Sequence, residues 1–241
     1  PDRGACDGPA GGRRLGVARG NGDGRAIVMK LWGRTTSINV QKALWALDEA
    51  GAEYEQVDAG GAFGGLDTPA FLALNPHGLV PALEDGDLAV FESNAIVRYV
   101  AARYCEGGLW HRDPGKRALS DKWMEWANTT VYPLMITCFF NTVRYRPDKR
   151  DPAAVQAAAD ELARHLAVME RHLSRAQTPF VAGDRPTIGD ISFGVHLYRY
   201  YELPIPRPVL PAIADYYERL KARAPYRNRV LVSFESLIGT L

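Results

Sequence analysis

Asn75-Pro76-His77-Gly78-Leu79-Val80-Pro81-Ala82-Leu83-Glu84-Asp85-Gly86-Asp87-Leu88-Ala89-Val90-Phe91-Glu92-Ser93-Asn94 is the stretch whose reading decides the fold. Its apolar runs, Leu79 to Leu83 and Leu88 to Phe91, flank Glu84-Asp85-Gly86-Asp87, a turn in which Gly86 can take positive φ at no steric cost. This predicts a β-hairpin. Ile96, Val97, Val100 and Ala101 then recur at helical spacing, with Ser93 at the expected N-cap. Pro81 in the first strand removes a ladder donor and demands an explanation. One reading is an edge strand with a trans proline, which the local sequence favours because only about 5% of X-Pro bonds are cis. The other is a cis Val80-Pro81 bond that turns the Val80 main chain outward.

Glu92 and Ser93 stand where a helix begins. The first turn of a helix offers unpaired N–H groups and a partial positive charge, so it holds a carboxylate well. The Ser93 hydroxyl adds a donor and the Glu92 carboxylate can take an ammonium, a pairing suited to the zwitterionic end of an amino acid. An isolated Glu-Ser would be no more than a cap with an acidic first turn. Joined to Val80-Pro81 at this distance, it points to a ligand.

Outward from this block, composition narrows the function classes. A chain of 241 residues with 46% hydrophobic content builds one large core or two modest ones. A net charge of +1 gives no electrostatic case for nucleic acid or an anionic membrane, and no apolar run approaches the ~18 residues of a span. Cys6, Cys105 and Cys138 are odd in number and lack any CxxC or metal-ligand spacing, which argues against a zinc site or a disulfide scaffold and fits a reducing cytosol.

Residues 1–26, rich in Gly, Arg and Asp, show no apolar periodicity and read as a disordered tail. Ile27 to Trp32 reads as a strand, Gly33 to Ser37 as a loop, and Val40, Ala43, Leu44 and Leu47 as one face of a helix ending near Gly51. Tyr54 to Val57 follows as a strand. The Gly60-Gly61-Ala62-Phe63-Gly64-Gly65 run lacks the Lys-Ser/Thr of a phosphate loop and reads as a flexible connector. Thr68-Pro69 opens a short helix. The order β-α-β-α-β-β-α is thioredoxin-like, spanning 27–105. Gly107, Gly108, Asp113 and Pro114 mark a linker over 106–114, after which 115–241 is helical throughout. There a long helix over 115–143 is expected to kink at Pro133, Asp151-Pro152 opens another to about Ala176, and Thr187-Ile188-Gly189-Asp190 reads as a capping box variant. Pro208 to Ala222 and Pro225 to Phe234 supply the last helices. The fold class is therefore α/β plus all-α.

From Ile27 onward the chain resembles the glutathione S-transferases. Asn75-Pro76-x-Gly78-x-Val80-Pro81, the hairpin, Glu92-Ser93, and Pro179 to Ile191 with Thr187 and Asp190 carry the likeness; Leu31-Trp32-Gly33-Arg34 and Ser37-x-Asn39-Val40-Gln41-Lys42 resemble a bacterial branch. The resemblance implies that Pro81 is cis, that the Val80 main chain pairs with the cysteine of glutathione, and that Glu92 and Ser93 hold its γ-glutamyl end. It implies a transferase whose co-substrate is glutathione, with no metal, acting on a small electrophile, a peroxide or a disulfide. A free thiol has a pKa of about 8.5, and lowering it by about two units needs roughly 2.7 kcal/mol of preference for the anion. With neither Tyr nor Cys in the loop after the first strand, a hydroxyl class is implied, and Ser37, Thr35 and Asn39 are the candidate donors. Tyr132, Met135, Phe139, Arg144 and Tyr145 are expected to line an electrophile pocket between the domains. His77, His165, His172 and His196 show no metal-like grouping. A cytoplasmic homodimer formed by the helices after Ser93 and Gly115 is expected, with no nucleic acid or membrane partner. The second class of function is a non-catalytic glutathione-binding or scaffold protein on the same fold.

Overall fold

The computed structural model describes residues 29–241, so the expected tail and the first two residues of the first expected strand lie outside the described residues. The chain divides into two compact units, the first reaching Arg112 and the second starting at Asp113.

In the first unit, β1 (Met29–Trp32), β2 (Tyr54–Val57), β3 (Ala82–Asp85) and β4 (Leu88–Phe91) form one sheet in the order β2-β1-β3-β4. β1 runs parallel to β2 and antiparallel to β3, which runs antiparallel to β4. Strand alternation sorts the side chains. Leu31 and Leu83 are cross-strand partners and fully buried, whereas their neighbours Trp32 and Ala82 turn to a second cluster around Phe71. Helices α1 (Ile38–Ala50) and α3 (Ser93–Tyr104) pack on each other. The α1 stripe of Val40, Ala43, Leu44 and Leu47 is fully buried, as its periodicity predicts, and the helix stops at Gly51 in the left-handed region (φ 62°). Helix α2 (Pro69–Leu74) starts where Thr68 accepts from the Phe71 N–H at 3.3 Å, with proline at its first position.

Three local expectations change. Pro81 precedes β3 instead of lying within it, so its missing N–H removes no ladder bond from this internal strand. The Gly60–Gly65 run is a folded 3₁₀ turn closed by a Gly60 N–H to Gly64 carbonyl bond of 2.8 Å. Residues 106–112, most of the expected 106–114 linker, group with the first unit. Glu106 bridges Trp110, Leu109 is buried, and its N–H donates to Cys105 Sγ.

The second unit is helical, as expected. Helix α4 (Pro114–Trp126) runs through a π-helical turn (Ala127–Val131) into α5 (Tyr132–Phe139) and a second π turn (Phe140–Arg144). The wide turn ahead of Pro133 opens the hydrogen-bond ladder at the residue that has no N–H to give. Helix α6 (Pro152–Arg175) is capped by Asp151, and α7 (Ile188–Glu202), α8 (Pro211–Lys221) and α9 (Ala224–Val230) complete the unit. Every residue of α7 from Ile188 to Leu197 is buried, so this helix is the core of the unit. A Cβ at Gly189 would lie 2.6 Å from the Ser120 carbonyl oxygen, which explains why a glycine stands where α7 meets α4.

Candidate active site

The sheet register assembles the site. Trp32 pairs with Ala82 and Ala82 with Phe91, so β1 and β4 end beside the start of β3. The chain beyond these residues supplies Gly33, Val80-Pro81 and Glu92-Ser93 at one edge of the sheet. Helices α1 and α3 both begin here, so two sets of unsatisfied N–H groups open on the same place.

Val80-Pro81 is cis, as the resemblance implied. The Val80 main chain enters no hydrogen bond among the described residues. Asn75, buried to 4% exposure, folds the approach to it. Its amide donates to the Leu79 carbonyl at 2.7 Å, its side-chain oxygen accepts from the His77 N–H at 3.1 Å, and its carbonyl accepts from the Gly78 N–H. Gly33 (φ 149°) sits on the neighbouring chain, where a Cβ would come within 2.4 Å of Val40 Cγ2 and 3.2 Å of Val80 Cβ.

The start of α3 differs by one residue from the sequence expectation. Glu92 is the N-cap and Ser93 the first helical residue. Glu92 is exposed, makes no side-chain capping bond, and holds φ 68°, the sole positive φ of a non-glycine residue among those described. A non-glycine residue in that region costs about 1–3 kcal/mol, and such strain clusters at ligand sites. Ser93 is 6% exposed and its Oγ donates to Asn39 Oδ1 at 3.3 Å, which ties the two helix starts together.

At the start of α1, Ser37 is the N-cap by backbone (φ −84°, ψ 121°), yet its side chain makes no capping bond. The loop is held by other groups. The Ser37 N–H donates to the Arg34 carbonyl, and the buried Gln41 donates through Nε2 to the Thr35 carbonyl at 2.9 Å. Of the three candidate donors, Asn39 is therefore engaged with Ser93, while the half-buried Ser37 presents a hydroxyl not spent on the helix. Sequence reasoning gave Gln41 and Asn75 no role. Both look like ordinary polar residues, and only burial reveals that they shape the loops.

The electrophile candidates separate. Tyr132, Arg144 and Tyr145 are half-buried, with Arg144 over the Phe140 ring at 5.6 Å and Tyr145 edge-on to the same ring at 5.7 Å. Met135 and Phe139, expected to face a ligand, are instead 2% exposed within the helical unit. Phe139 stacks under the Arg199 guanidinium at 4.2 Å and meets Phe234 edge-on, and Met135 packs near Leu162, Leu166 and Phe193. His77 meets Phe91, His165 pairs with Glu161, and His172 bonds the Val181 carbonyl; the described residues hold no metal-ligating group of three. No helix among them is long and apolar enough to cross a membrane.

A thioredoxin-like sheet with a cis proline ahead of its third strand, followed by a helical unit, is the two-domain plan of the transferases that the sequence resembles. The glutathione S-transferase N-terminal domain family matches residues 27–102, and the corresponding C-terminal domain family matches 152–219. The glutathione S-transferase GstB of Escherichia coli is 37% identical over 207 residues, covering 85% of this chain and 99% of that protein. Glutathione S-transferase 3 of Zea mays is 33% identical, covering 84% and 93%. The theta class glutathione S-transferase of Xanthomonas axonopodis pv. citri, solved with glutathione bound, superposes with a TM-score of 0.81 at 43% identity, covering 86% of this chain and 98% of that one. The chain belongs to the glutathione S-transferase family.

Proposed function

We propose that this chain, a glutathione transferase by family, binds glutathione across the two helix starts and activates its thiol with Ser37. The observation that supports this most is the uncommitted Val80 main chain beside Glu92 and Ser93. An extended peptide adds to such an edge by main-chain bonds. The γ-glutamyl carboxylate meets the α3 N-terminus and the Ser93 hydroxyl, which turns its one proton from Asn39 to the ligand, and its ammonium meets Glu92. The Ser37 hydroxyl and the α1 N-terminal dipole favour the thiolate over the thiol, with Thr35 as the second donor in the loop.

The thiolate then attacks a small electrophile, or reduces a peroxide or disulfide. Tyr132, Arg144 and Tyr145 are the contacts for that second substrate, and no metal takes part. The transferase names of the relatives favour the enzyme over a non-catalytic binder. Its working form is a homodimer through α3 and α4, in the cytoplasm, where reduced glutathione is plentiful. Calorimetric titration with glutathione, thiolate absorbance of the complex, and turnover of an aryl halide test the reading together. Binding without any fall in thiol pKa would leave a binder and remove the enzyme. Sedimentation showing only monomer at micromolar concentration would remove the dimer.

A further inference from the structure

The last turns of α7 and the middle of α8 carry chemistry that the thiol site does not use. Tyr198, Tyr201 and Glu202 lie at helical spacing on α7, and Tyr217, Glu218 and Lys221 at helical spacing on α8. These six side chains line an open cleft of about 430 Å³ that lies wholly within the helical unit. Tyr201 and Tyr217 stack at 4.8 Å between centroids and 15° between planes, forming an aromatic wall.

The cleft already accommodates one cation. Lys221 Nζ sits 4.7 Å from the centre of the Tyr217 ring and 2.7 Å from Glu218 Oε1, so an aromatic face and a carboxylate share one ammonium. Glu202 has no such partner. It makes no ion pair or hydrogen bond among the described residues and is exposed at the cleft. Arg207 keeps its charge but is held by the carbonyls of Tyr200 and Leu203 at 2.8 and 2.6 Å and forms no ion pair with Glu202. The α7 C-terminus adds a partial negative charge of its own. The cleft thus holds three phenols and one carboxylate in excess of its built-in cation.

We infer that this cleft is a second binding site, separate from the thiol site, for a small flat organic cation such as an aromatic amine or a quaternary ammonium. The ring of such a ligand lies against the tyrosines and its charge against Glu202. The phenols stay protonated through the neutral range, so they add no competing charge. Burial first, then nearby carboxylates, push the Tyr201 and Tyr217 hydroxyls above their ordinary value, and the same causes act on Tyr198.

Proflavine, a fluorescent aromatic monocation, titrated into the full chain tests this. Glu202→Gln, at an exposed position, is expected to weaken binding about three- to fivefold by loss of the charge, and Tyr201→Leu about fivefold by loss of the ring. Tetraethylammonium displaces the dye, whereas an excess of S-hexylglutathione does not, and turnover of an aryl halide in Glu202→Gln matches the parent chain. Displacement by S-hexylglutathione would put the dye in the thiol site and overturn the inference. So would equal affinity in Glu202→Gln, or tighter binding of the anionic anilinonaphthalene sulfonate than of proflavine. None of these outcomes decides whether glutathione binds at the thiol site, whose own test is the glutathione titration.

Discussion

Two helix starts in this chain use the same chemistry for opposite ends. At α7, Thr187 and Asp190 satisfy each other. Asp190 Oδ2 accepts from the Thr187 N–H and Oγ1, both at 2.8 Å, while Oδ1 accepts from the Val181 N–H at 3.0 Å and the Tyr216 hydroxyl at 2.9 Å. The carboxyl is fully buried and its acceptor sites are full. Burial pushes it above the usual carboxylate range, with these donors opposing the rise. At α3, Glu92 is exposed, strained in φ and makes no capping bond, and Ser93 has one long bond to Asn39. An acidic residue and a hydroxyl at a helix start therefore carry no function by themselves. What decides is whether the protein has used up their hydrogen-bonding capacity.

The largest expected effect breaks the α7 side of this comparison. Asp190→Ala leaves four buried donors without an acceptor and is expected to cost about 3–5 kcal/mol of stability. The midpoint of denaturant unfolding reads this, and Asp190→Asn should recover part of it because one acceptor remains. A loss under about 1 kcal/mol would show that the buried network is not a structural cap.

Next comes Ser37→Ala. If the hydroxyl holds the thiolate, its loss raises the pKa of bound glutathione by up to about two units, or roughly 2.7 kcal/mol. The rise in activity with pH moves to higher pH, because the thiol must then ionise without its donor. Affinity for glutathione changes little, since the bond is to the anion. An unchanged thiol pKa moves the role to Thr35 or Asn39.

Ser93→Ala sharpens the α3 side. It should weaken glutathione binding by about 1.5–3 kcal/mol, the value of a hydrogen bond to a charged group. Unfolding should shift far less than for Asp190→Ala, and calorimetric affinity beside a melting curve separates the two effects. Equal loss of binding in Ser37→Ala and Ser93→Ala would end the division between thiol activation and carboxylate binding.

The smallest effect has the opposite sign for stability. Glu92→Gly removes the penalty of positive φ and should stabilise the fold by about 1 kcal/mol, while losing the carboxylate that meets the ammonium. A chain that melts higher yet binds glutathione less well is the signature of strain kept for a ligand. Lower stability would mean that Glu92 has a structural role.

The sequence alone determined what depends on neighbours along the chain. The α1 stripe of Val40, Ala43, Leu44 and Leu47, the caps at Thr68 and Asp151, and the hairpin around Gly86 follow from period, side-chain reach and turn chemistry, all local quantities. The order of these elements, with the Val80-Pro81 and Glu92-Ser93 signals, was enough for the two-domain plan and the family. Tertiary structure decided which polar groups are spent and which faces are covered. Nothing local distinguishes Met135 and Phe139, sealed in the helical core, from the half-buried Tyr132, because all three recur at similar spacing on one helix. Nor does a local pattern show that Gln41 holds the Ser37 loop, that Asn39 reaches Ser93 across 54 residues, or that π turns absorb Pro133. Burial and hydrogen-bond saturation are set by what packs from elsewhere in the chain, and only the folded molecule brings those partners together.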